Sequence, residues 1–124
     1  MIIVIALAAI GATGCNSPRS QAEMNRCAAL ELKQVDGAMT RQWRATYAYM
    51  KGLDARDTSR GGGFGYSAAL LGTQRAWLKY RDTQCIMEGA QFAGGSASPL
   101  ERLRCTIRFT TERRALLRAL VWAQ

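Results

Sequence analysis

Four cysteines and no histidine bound the chemistry open to this chain of 124 residues. Cys15 and Cys27 flank the stretch N-S-P-R-S-Q-A-E-M-N-R, Cys85 closes Q-R-A-W-L-K-Y-R-D-T-Q, and Cys105 opens C-T-I-R-F-T-T-E-R-R-A-L. An even cysteine count behind an apolar leader reads as two disulfides made in an oxidising compartment, because small exported domains are stapled where cytosolic ones are kept reduced. Four cysteines allow three pairings, and proximity favours Cys15 with Cys27 and Cys85 with Cys105. The missing histidine removes the usual general base and the commonest metal ligand, which leaves carboxylates as the candidate bases. The nine acidic residues are scattered, and none stands in a recognisable catalytic motif. The expectation is a protein that is not an enzyme, with no metal or catalytic residues and no cofactor.

Polar residues on otherwise apolar stripes are the next signal. Gln74 and Arg81 share a helical face with Leu70, Trp77, Leu78 and Cys85, and Arg113 shares one with Cys105, Phe109, Leu116, Leu117 and Leu120. Burying such groups without partners is costly, so Gln74, Arg81, Thr110 and Arg113 are expected to form an internal hydrogen-bond network, with Trp77 as a core aromatic beside it. Asp82 is either a solvated neighbour of Arg81 or a partner for Arg113. Two polar breaks offer contacts for a partner: Ser59 and Arg60 beside G-G-G-F-G, and Ser96 and Ser98 within G-G-S-A-S-P. The glycine run is no phosphate cradle, because no lysine followed by serine or threonine stands at the required spacing.

The elements that must position these residues read as three helices. A capping box S-Q-A-E at Ser20 opens the first, and an apolar stripe from Met24 to Met50 carries it to about Gly52. A polar loop over Leu53 to Gly65 leads to a second helix from about Ser67 to Ala90. The third starts with Ser98 as N-cap, Pro99 at its first position and Glu101 at its third. No useful strand alternation occurs, so the fold class is all-α, an up-down-up arrangement around one core. Residues 1–14 are uncharged and too short to span a bilayer, and read as a signal peptide removed on export, leaving residues 15–124 as a single domain. A rival reading makes Cys15, directly after Gly14, the lipid-modified first residue of an anchored protein.

The strings Q-A-E-M-N-R-C-A, Q-R-A-W-L-K-Y-R-D-T-Q-C, G-G-S-A-S-P and C-T-I-R-F-T-T-E-R-R-A-L resemble the LprI-type lysozyme-inhibitor domain, a family of small exported bacterial proteins. The resemblance runs from about Cys15 to Leu117. It rests on Cys15, Met24, Asn25, Cys27, Asp36, Gln74, Trp77, Arg81, Asp82, Cys85, Gly94, Gly95, Ser96, Cys105, Thr110 and Arg113. Met39 and Thr40 stand where the family usually shows leucine and asparagine, and the loop from Asp54 to Gly65 maps onto no family motif. The resemblance implies a helical, periplasmic or secreted protein that binds a lysozyme-like muramidase.

Net charge is +8, from seventeen basic and nine acidic residues. A basic protein is repelled at long range by basic lysozymes, which argues for an alternative partner. That alternative is anionic cell-wall polymer or lipid head groups met by the arginines of the third helix, Arg102, Arg104, Arg108, Arg113, Arg114 and Arg118. Nucleic acid is not expected, since aromatic residues are not interleaved with those arginines in the way base stacking requires, and an exported protein seldom meets nucleic acid.

Overall fold

The computed structural model describes residues 14–59 and 61–122. The expected leader up to Thr13 and the candidate contact residue Arg60 lie outside the described residues. Within them the chain forms α1 (Gln21–Arg56), α2 (Tyr66–Gly89), a 3-10 turn (Ala90–Phe92) and α3 (Ser98–Ala119), with no strand. Two disulfides join Cys15 to Cys27 and Cys85 to Cys105, with Cα separations of 5.5 Å and 5.4 Å, inside the usual range for such bridges.

The capping box at the start of α1 forms with one change. Ser20 Oγ accepts the Glu23 N–H at 3.1 Å, but the Glu23 carboxylate reaches back to the N–H of Arg19, at 2.7 Å, not to that of Ser20. α1 then continues past Gly52 to Arg56, because Leu53 still packs against the core. Asp54, in that extra turn, caps the next helix across the loop. Its carboxylate accepts the backbone N–H groups of Tyr66 at 2.6 Å and Ser67 at 3.0 Å, supplying what Gly65, the N-cap residue without a side chain, cannot.

Thr46 of α1 donates its buried hydroxyl to the Leu117 carbonyl of α3 at 2.9 Å, which sets the C-terminal halves of those helices side by side. α1 and α3 therefore run in the same direction and α2 returns against them, giving the up-down-up arrangement. Met39, Met50, Leu70 and Leu117 form the apolar core, flanked by Trp43, Tyr47, Leu53, Tyr66 and Trp77. This core lies toward the glycine-rich loop. The opposite half buries Ala28 and Leu100, which share a recess with Cys15 and Cys27, so covalent links hold it where apolar packing is thin.

Three expectations need correction. Ser98 is not the N-cap of α3: that position is Ala97, and Ser98 Oγ donates instead to the Gly89 carbonyl at 2.9 Å, tying the end of α2 to the start of α3. Leu78 and Leu116 are not on inward faces, being 37% and 59% exposed. Each lies about 100° around the helix from a less exposed neighbour, the partly buried Trp77 or the fully buried Leu117, and that neighbour took the inward position.

Candidate functional site

The polar residues of α2 and α3 meet around one ring. The Arg81 and Arg113 guanidinium carbons lie 5.0 Å and 5.7 Å from the Trp77 ring centre, within cation–π reach. Arg113 Nε donates to Gln74 Oε1 at 2.9 Å and its NH2 group donates to Thr73 Oγ1 at 3.0 Å. Gln74 passes the contact on, its amide donating to Met39 Sδ of α1 at 3.4 Å. Arg81 donates to Thr110 Oγ1 at 3.2 Å, and Thr110 donates in turn to the Thr106 carbonyl at 2.7 Å.

The two arginines differ in charge balance. Arg81 pairs with Asp82 at 2.9 Å and stands 3.8 Å from Asp36 of α1, both carboxylates about half exposed. Arg113 is buried at 9% exposure and has no carboxylate in ion-pair reach among the described residues. Burial accordingly pulls its pKa below the ordinary arginine value. Asp82 is thus the partner of Arg81 and not of Arg113.

Beside Arg81 the helices separate and leave a groove of about 520 Å³ between α1, α2 and the start of α3, lined by Leu32, Arg81, Asp82, Ser98, Arg102 and Thr106. A second recess of about 300 Å³ shares Leu32, Arg81 and Thr106 and adds Lys33 and Asp36. A third, of about 330 Å³, lies against the Cys15–Cys27 bridge and is lined by Met24, Ala28, Glu31, Leu100 and Arg104. All three belong to the disulfide half of the bundle.

The polar-loop candidates do not converge. Ser59 lies at the glycine-loop end, where its N–H and hydroxyl both donate to Asp57 Oδ1, at 2.9 Å and 2.6 Å. The other Asp57 oxygen accepts the Phe64 N–H at 2.9 Å, so this carboxylate organises the loop. Gly63 is obligatory there: its φ is +85°, and a Cβ would stand 3.1 Å from the Asp57 carbonyl. Ser96 and Ser98 sit at the far end of the bundle, Ser96 exposed and Ser98 half-buried. Cys85, Glu88 and Cys105 bring metal-ligand atoms together, but both sulfurs are spent on the disulfide and Arg108 holds the Glu88 carboxylate at 2.8 Å.

Charge divides sharply between the halves. Residues 1–40 and 80–108, the disulfide half, carry seven basic and six acidic residues, a net of +1. The remainder carries ten basic and three acidic residues, a net of +7. The four ion pairs among the described residues, made by Arg81 with Asp36 and Asp82, Arg104 with Glu101, and Arg108 with Glu88, all use carboxylates of the disulfide half. The arginine face assigned to α3 is therefore broken in two, with Arg113 buried and Arg104 and Arg108 paired. Asp36, Asp54 and Gly89 were not identified from sequence as a groove wall, a helix cap and a helix contact. Their partners are 45, 12 and 9 residues away, beyond any local pattern.

The family described as Lysozyme inhibitor LprI matches residues 14–117. An uncharacterized protein of Rhizobium meliloti (strain 1021) is 32% identical over 111 residues, covering 86% of this chain and 78% of that protein. No solved structure matches the chain.

Proposed function

The chain belongs to the Lysozyme inhibitor LprI family, and from that premise we propose that it blocks a lysozyme outside the cytoplasm by binding it as an intact, non-catalytic partner. The observation that carries this reading is the extent of the match, which takes in α1, α2, all but the last two residues of α3 and all four cysteines. An inhibitor family fits a non-enzymatic role. No helix among the described residues is long and apolar enough to cross a membrane, and the leader is read as an export signal.

We place the partner at the disulfide half. A muramidase cleft works with two carboxylates, and many lysozymes are basic overall. A half-molecule with a net of +1 spares such a partner most of the repulsion that a net charge of +8 would impose. Exposed Ser96, together with the groove wall of Asp82 and Arg102, supplies the polar contacts.

Two measurements test this. Lysis of a peptidoglycan suspension by a panel of animal, bacterial and phage lysozymes should stop as the protein reaches one equivalent of the susceptible enzyme. Ser96→Arg and Asp82→Lys should weaken that inhibition and Ser59→Arg should not. A chain that leaves every lysozyme active at large molar excess sinks the proposal, and equal losses in all three variants sink the placement. Intact mass of the exported product should show a chain starting close to Cys15 with that cysteine bridged to Cys27; a diacylglyceryl adduct on Cys15 would replace this route with lipid anchoring.

A further inference from the structure

The glycine-loop end of the bundle combines two features that the lysozyme reading does not use. It holds nearly all of the net charge, +7 against +1, and no ion pair joins Arg41, Arg44, Arg56, Arg75, Arg114 or Arg118 to a carboxylate among the described residues. Two of the three carboxylates at this end, Asp54 and Asp57, are spent on backbone N–H groups of the loop and of α2. Those six arginines are exposed and take part in no ion pair among the described residues.

At the tip of the same end stands a row of aromatic rings. Phe64 and Trp122 are 55% and 60% exposed, and Tyr66 lies between them, its ring centre 4.8 Å from that of Phe64 and 6.3 Å from that of Trp122. The rings brace one another and still project outward. Exposing an indole and a phenyl costs hydration free energy that the core could have recovered.

We infer that this end docks on an anionic lipid surface, with the arginines over the head groups and Phe64 and Trp122 at the interfacial level. Tryptophan and tyrosine favour that depth because one part of the ring system is apolar and the other can meet water, while a basic surface gains from the negative potential of the leaflet. A lipid surface fits better than a sugar polymer, since projecting rings suit a soft, flat partner and all three grooves lie in the other half. Docked this way, the molecule turns its disulfide half away from the membrane. The inference is independent of lysozyme binding, which was placed at that far half, so either can fail alone.

Vesicle sedimentation decides it. Protein as the cell leaves it is mixed with phosphatidylcholine vesicles, with vesicles containing phosphatidylglycerol, and with soluble polyphosphate as a polymer competitor. Binding should be confined to anionic vesicles and weaken as salt rises. Arg114→Glu with Arg118→Glu should lower partitioning roughly tenfold or more, and Phe64→Ser with Trp122→Ser should lower it at unchanged charge. Arg19→Glu with Arg26→Glu, which makes the same change in net charge at the other end, should leave it nearly intact. Melting curves confirm that each variant is folded. Equal binding to neutral vesicles would assign the effect to the leader or a lipid anchor and overturn the inference. So would equal losses in both charge-reversed pairs, undiminished binding without the rings, or capture by polyphosphate with none by vesicles.

Discussion

Gln74 shows how much can depend on one neutral side chain. Its carbonyl oxygen is the buried acceptor for Arg113, a guanidinium with no carboxylate in ion-pair reach among the described residues. Gln74→Leu strips an acceptor from a buried charge and should cost about 2 to 4 kcal/mol in chemical denaturation. Adding Arg113→Met to that variant should restore most of the loss, because an apolar pair of similar volume needs no desolvation. A double variant no more stable than Gln74→Leu alone would show that the charge is satisfied by something other than Gln74. Arg81→Ala should be milder, about 1 to 2 kcal/mol, since its carboxylates are half exposed and Thr110 keeps its bond to the Thr106 carbonyl. If Arg81→Ala melts like wild type but no longer inhibits lysozyme, Arg81 faces the partner.

Helices make opposite demands on their glycines. Gly37 sits inside α1 where an added Cβ would meet only the flexible Arg41 guanidinium at 3.6 Å, so Gly37→Ala should stabilise by about 1 kcal/mol. Gly89 is different: its Cβ would stand 3.2 Å from the Ser98 carbonyl and 3.3 Å from Arg102 Cβ. Gly89→Ala should therefore destabilise by about 1 to 3 kcal/mol in the same assay, since α2 and α3 must part to admit it. The Asp54 cap adds a pH signature. Hydrogen bonds from the Ser67 side chain and backbone hold its carboxyl below the usual value of 3.8, so its contribution is complete above that pH and is lost as pH falls through the lower folded value. Asp54→Asn should lower the melting temperature at neutral pH, with the gap from wild type closing in acid. Helix existence was legible because glycine breaks and apolar spacing are local signals. Which residue of an adjacent pair, such as Leu116 and Leu117, enters the core was not, because each helix meets two neighbours whose positions no single stripe encodes. The Arg113–Gln74 contact was half legible: two polar residues on apolar stripes announced a network, but nothing local said that their partners would be uncharged.

At the scale of the molecule, packing and charge are both lopsided. The loop half holds most of the apolar cluster and most of the net charge, while the disulfide half is nearly neutral and relies on its bridges. Each bridge contributes about 3 kcal/mol in the chain-entropy account of loops this short. Neither the charge polarity nor the aromatic tip could be read before the direction of α3 beside α1 was known, because each brings together two stretches far apart in the chain. The order of the bridges has a further effect. Each joins cysteines that are consecutive in the chain, 12 and 20 residues apart. On the proposed export route, a chain threading through a translocation pore N-terminus first presents Cys27 when only Cys15 is outside, and Cys105 when only Cys85 is unpaired. Oxidation in order of emergence therefore makes the native pairs with no thiol reshuffling, whereas a reduced chain released all at once has three pairings open to it. Bacteria that retain a thiol oxidase but lack a disulfide isomerase should still accumulate the correctly bridged protein, whereas refolding from the reduced, denatured state should give a mixture by non-reduced peptide mapping until a thiol–disulfide buffer resolves it.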